Sequence, residues 1–114
     1  MAAKYGNRKS LSGGLAFDSR REAARYRELL AMQQAGEITD LLCQPEYLLI
    51  PAQTAASGRK ERKVVYLADF SYRLPDGGTV VEDVKSPATA KLPAYVIKRK
   101  LMLMVHGIEV REIF

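Results

Sequence analysis

Between Ala23 and Met32 the apolar residues fall at Ala23, Tyr26, Leu29, Leu30 and Met32, the spacing of one face of a helix. Arg20, Arg21, Arg25, Arg27 and Glu28 take the remaining positions. Ser19 followed three residues later by Glu22 forms a capping box, with Phe17 ahead of it, and Gly36 supplies a left-handed stop. A helix is therefore predicted from Ser19 to about Ala35. Residues 38–42 read as a short apolar connector. Residues 46–50 predict a first strand closed by Pro51, residues 52–58 a flexible hairpin loop, and residues 63–72 a long second strand. The run Leu74-Pro75-Asp76-Gly77-Gly78 is turn chemistry, and residues 79–85 form a third strand, completing an antiparallel meander. Pro87 stops that strand. A second helix is predicted over residues 92–106, opened by Pro93, closed by Gly107 and facing the core through Ile97, Leu101, Met104 and Val105. Residues 108–114 alternate as a last strand. The order α-β-β-β-α-β predicts an α/β fold with a mixed sheet flanked by helices.

At 114 residues the chain is sized for one domain with a real core. No apolar run approaches the roughly 20 residues of a membrane span. Residues 11–17 are interrupted by Ser12, Gly13 and Gly14, so no signal-peptide core is expected there. The lone Cys43 has neither a disulfide partner nor a metal-ligand companion; it reads as a small apolar residue in a cytoplasmic protein. Net charge is +5, and its placement matters more than its size. Lys4, Arg8, Lys9, Arg20, Arg21, Arg25 and Arg27 face only Asp18 and Glu22 across residues 1–27. Lys85, Lys91, Lys98, Arg99 and Lys100 meet no acid across residues 85–100, and the rest of the chain is balanced or acidic. Two basic segments, the first including a flexible arm over residues 1–14, suit either a polyanionic partner or plain solvation.

The candidate chemistry centres on Val80-Val81-Glu82-Asp83-Val84-Lys85. Strand alternation turns Asp83 and Lys85 to one face and Glu82 to the other. The meander brings Asp69, an acid inside an otherwise apolar strand, next to Asp83. Two carboxylates converging from adjacent strands suit Mg²⁺, with Lys85 beside them to orient a water or to stabilise phosphate charge. The competing reading is structural, with Asp69 and Asp83 in salt bridges to Lys85 and Arg73. Glu22 is explained by the capping box. Tyr95 and Lys98 share a helix face, and Lys98 by itself reads as solvated. His106 reads as a helix-end dipole partner. The sequence offers no Ser-His-Asp order, Cys-His pair or phosphate-cradling glycine loop.

Asp69 followed by Asp83-Val84-Lys85 across a hairpin resembles the PD-(D/E)-x-K nuclease signature. With Phe17-Asp18-Ser19, Glu22-Ala23, Arg25-Tyr26, Leu29, Ala68-Asp69-Phe70 and Tyr72, the chain resembles, over residues 15–112, a small phage-encoded family akin to archaeal-type Holliday-junction resolvases. Ala68 stands where the signature has proline.

The resemblance implies a restriction-endonuclease-like core. Asp69, Asp83 and the main-chain carbonyl of Val84 would be metal ligands. Lys85 would stand by the attacking water, and Glu22 would hold a metal-bound water or a second metal. It also implies Mg²⁺ (or Mn²⁺) as the cofactor, branched DNA as substrate, and the host cytoplasm if the chain is phage-encoded. The readings left open are a nuclease for flap, nicked or single-stranded DNA, and a non-catalytic nucleic-acid-binding protein. Arg8, Lys9, Arg20, Arg21, Arg25 and Lys98 are the expected DNA contacts. With no room for a base-reading module, shape rather than sequence would be recognised. Cutting two strands symmetrically needs two sites and hence a C2 homodimer, for which the continuous apolar run over residues 101–105 offers surface. No membrane association and no small-molecule cofactor are expected.

Overall fold

The computed structural model describes residues 10–12, 15–17 and 19–114, with side chains from Ser19 onward. At the end of the expected arm, β1 (Ser10–Ser12) pairs antiparallel with β2 (Leu15–Phe17), which lies just beyond it. Helix α1 (Arg20–Gln34) begins where predicted, with Ser19 in extended geometry accepting the Glu22 amide at 3.1 Å. It ends in a Schellman arrangement: Gly36, at φ +79°, donates to Gln33, and Glu37 donates to Met32.

The central sheet has the order β10-β9-β8-β3. Strands β3 (Thr39–Cys43), β8 (Phe70–Arg73) and β9 (Thr79–Val84) are antiparallel neighbours, and β10 (Arg111–Ile113) runs parallel to β9. The α/β architecture with a mixed sheet is as expected, but its strands are drawn differently. The connector over residues 38–42 supplies β3. The expected first strand, β4 (Glu46–Ile50), lies outside the central sheet and pairs with β7 (Val64–Leu67). The long second strand is broken at Ala68-Asp69 into β7 and β8.

One bend explains all three differences. Residues 39–50 and 64–73 form a single long hairpin, interrupted at the same level on both sides. Gln44 takes a left-handed conformation (φ +54°) and Pro45 has no amide to donate. The bend is closed by Gln44 N–H to the Asp69 carbonyl (2.8 Å) and Ala68 N–H to the Pro45 carbonyl (3.1 Å). Beyond it the hairpin continues into a short ribbon, β5 (Gln53–Thr54) with β6 (Lys60–Glu61).

The sheet divides two cores. Between α1 and the sheet, Ala23 and Leu29 of the helix pack with Ile38, Phe70, Tyr72 and Val80. On the opposite face, Leu49, Tyr66, Ala68, Val81, Met102 and Val110 pack with Tyr95 of helix α2 (Pro93–Leu101). Strand β9 is sandwiched, so it is buried on both faces from Val80 to Asp83. Each large apolar side chain fully buried here contributes about 1.5–3 kcal/mol by transfer.

Of its predicted face, the second helix packs only Leu101 against the core. Tyr95 and Met102 are its buried residues, whereas Ile97 and Met104 are 58 % and 75 % exposed. After Leu101 the helix widens into a π turn (Met102–His106) closed by Gly107 at φ +68°. The inward face carries polar groups over the sheet, and the most apolar face points out. His106, expected at a helix dipole, hydrogen-bonds the Leu48 carbonyl at 2.7 Å and packs edge-on to Tyr47, tying the π turn to β4.

Candidate active site

Strand alternation sorts Glu82 and Asp83 of β9 and Lys85, the residue just after it. Glu82 points toward α1 and is fully buried. Arg25 grips its carboxylate with two hydrogen bonds, Nε at 2.8 Å and Nη2 at 2.7 Å, and the Tyr72 hydroxyl donates a third. Arg111 in turn donates to the Tyr72 oxygen at 3.3 Å. Burial, then the bond to Glu82, pushes the Tyr72 hydroxyl up to about 12. The bond to Glu82 likewise raises Arg25. Arg25, expected on DNA, is therefore a structural partner: a bidentate carboxylate holds its guanidinium inside.

Asp83 and Lys85 point the other way. Asp83 is 3 % exposed; its Oδ2 accepts the Tyr66 hydroxyl and lies 3.6 Å from Lys85 Nζ. That ammonium sits 4.3 Å from the centroid of the Tyr95 ring, in cation–π geometry. Tyr95 is anchored by its hydroxyl to Glu112 (2.7 Å), which also accepts Arg99 at 3.2 Å. Burial first, then Glu112, drives the Tyr95 hydroxyl upward. The Lys85 main chain is fixed as well: its amide donates to Ile113 and its carbonyl accepts Arg21 at 3.1 Å. Lys85 thus has its backbone and its charge held independently.

Asp69 sits in the bend between β7 and β8, opposite Asp83. Its amide donates to Glu82, and its Oδ2 accepts the Val84 amide at 2.7 Å. Both acids open on a cleft of about 520 Å³, lined also by Glu22, Tyr66, Lys85, Tyr95 and Lys98. All four expected catalytic side chains, Glu22, Asp69, Asp83 and Lys85, therefore face one cleft. Arg20 is exposed at the start of α1, and Arg21 bonds the carbonyls of Lys85 and Ile113. Arg8 and Lys9 lie outside the described residues.

Tyr66 and Tyr95 were not singled out as catalytic-site residues by the sequence, although Tyr95 was noted on the helix face of Lys98. In one continuous strand, residues 66 and 69 would face opposite sides; the break at Ala68-Asp69 turns both to the cleft. Pro45 is the sequence signal of that break.

The donor set fits a hard divalent cation. Glu22, Asp69 and Asp83 bring carboxyl oxygens to the cleft, the hard donors such a cation takes, and Lys85 and Lys98 bring ammonium groups that suit a phosphate. Among the described residues, no three acid, histidine or cysteine side chains converge tightly enough to form a cage by themselves. A cation here would rest on the Asp69–Asp83 pair, with a main-chain oxygen and water completing its shell.

The chain matches the family described as "Protein of unknown function (DUF1064)" over residues 2–113. Comparisons with curated proteins and with solved structures return no match. Among the described residues no helix is long and apolar enough to cross a membrane.

Proposed function

We propose that this chain, which belongs to the DUF1064 family, is a Mg²⁺-dependent DNA endonuclease of the PD-(D/E)-x-K class acting on branched DNA, the four-way junction first among its substrates. The observation that carries the reading is the single cleft shared by Glu22, Asp69, Asp83 and Lys85. Asp69, Asp83 and the Val84 carbonyl would hold the metal, with Glu22 reaching it through water. When bound, the metal neutralises phosphate charge and lowers the pKa of a coordinated water. The protein's own contribution is position. The Val84 amide fixes Asp69, the Tyr66 hydroxyl fixes Asp83, and the Tyr95 ring supports Lys85 from below. Lys85 is then set to donate to a phosphate oxygen where negative charge builds during in-line attack. Lys98, on the cleft wall, supplies a second cation to the substrate backbone.

Paired cuts across a junction require two such clefts, and a C2 dimer provides them. The exposed Ile97, Leu103 and Met104 are the surface assigned to that contact; sedimentation should give a dimer mass that Met104→Glu reduces to a monomer.

One observation favours a second reading. Asp83 and Lys85 form an ion pair, as a purely structural role would require. Gel cleavage of a four-way junction, a flap, a nicked duplex and a linear duplex, with Mg²⁺ and with EDTA, separates the readings. Junction cutting that needs Mg²⁺ supports the proposal. Equal cutting of linear duplex removes the junction selectivity, and no metal-dependent cutting of any substrate removes the enzyme.

A further inference from the structure

The hairpin does not stop at β4 and β7. Residues 51–63 extend it past the body of the protein, and all of them are exposed. Residues 52–58, expected as a flexible hairpin loop, belong to a formed ribbon. Gln53 pairs with Glu61, Thr54 pairs with Lys60, and the tip is closed by Ala55 N–H to Arg59 (2.8 Å) and Gly58 N–H to Ala55 (2.9 Å). Its returning strand reads Arg59-Lys60-Glu61-Arg62-Lys63. The net acidity of the central part of the chain conceals this cluster. Among the described residues none of its four cations is in an ion pair.

We propose that this ribbon is a duplex-binding finger that lies along a groove of double-stranded nucleic acid and sets its cations on the flanking phosphates. The inference rests on the nucleic-acid partner proposed above and not on catalysis. Four observations select the partner. The cations are unneutralised, as phosphate binding requires. The tip residues Ala55, Ala56, Ser57 and Gly58 are small, and a two-stranded ribbon fits a duplex groove. Residues 51–63 contain no aromatic side chain on which single-stranded bases would stack, and no large apolar side chain to enter a lipid surface. The ribbon also starts close to the cleft. At about 3.3 Å per residue, Lys63 to Arg59 lie about 10–23 Å along the strand from the cleft residue Tyr66, within one turn of duplex.

The test is duplex binding in EDTA, where cutting cannot occur, by the full chain and by its Arg59→Gln/Lys60→Gln/Arg62→Gln/Lys63→Gln variant. The four positions are exposed, so the variant should keep the parent's circular dichroism and melting temperature. The expected result is affinity about 10²-fold weaker at about 0.1 M salt, with a salt slope smaller by up to about 3.6, since each phosphate contact contributes about 0.9. Unchanged affinity and slope overturn the inference, as does tighter binding of the parent chain to phosphatidylserine vesicles than to duplex. The nuclease reading fails separately: a parent chain that binds duplex through the ribbon but cuts nothing with Mg²⁺ loses the enzyme and keeps the finger.

Discussion

Glu82 and Asp83 are neighbours in sequence, both buried and both acidic, and they lie on opposite faces of the same strand. On the α1 face, Glu82 is met by two guanidinium contacts and a tyrosine hydroxyl, and its charge is matched on the spot. On the α2 face, Asp83 accepts the Tyr66 hydroxyl, pairs with Lys85 and shares an open cleft with Glu22, Asp69 and Lys98. The first arrangement is closed on itself; the second opens on a cleft, where the proposed function puts a cation. Burial alone therefore does not distinguish the two acids; the groups that surround each, and access to the cleft, do.

Four changes test this contrast, in order of expected effect. Asp83→Asn keeps an acceptor for Tyr66 but removes the carboxylate. Single-turnover cutting should fall by about 10³-fold or more, about 4 kcal/mol of barrier, with the melting temperature little changed. Arg25→Met does the reverse. It strands the Glu82 carboxylate, so denaturant titration should show a loss of about 3–5 kcal/mol, while whatever folds at low temperature still cuts. Equal effects of both changes on folding would erase the distinction between the faces. Lys85→Met should lower the cutting rate by about 10²–10³-fold with junction affinity in EDTA within a few-fold, as expected of a group acting mainly in the transition state.

The smallest effect is a pH dependence. The folded Tyr72 hydroxyl holds its proton up to about pH 12, against about 10 in the unfolded chain. The unfolded state therefore loses that proton first. The stability this contributes is intact below pH 10 and declines as pH rises from 10 to 12. Tyr72→Phe should flatten that part of the stability curve, and an unchanged slope would mean that burial and Glu82 together do not hold the proton on the hydroxyl.

Local signals in the sequence were sufficient for α1, the Asp76-Gly77 turn and the opposed faces of β9, because capping, turn and alternation rules act over a few residues. The bend at Pro45 and Ala68-Asp69 was missed, although proline marked it, because two strands must break together before either reads as broken. The face of α2 was missed for a different reason. Its inward surface carries Tyr95, Lys98 and Arg99 toward Asp83 and Glu112, so apolar periodicity pointed to Ile97 and Met104, which are outside. Local pattern and fold disagree where the candidate site is built, which is where such disagreement is expected. Arg25 was assigned outward for the related reason that its partner lies 57 residues away.

The most direct test of the central claim is Mn²⁺ binding followed by electron paramagnetic resonance, on the parent chain and on Asp83→Asn at equal fold content. The account predicts saturable binding by the parent, displaced by Mg²⁺, and at least about tenfold weaker binding by the variant. Absence of binding by the parent, or equal binding by both proteins, would contradict the assignment of the Asp83 face as a metal-dependent site.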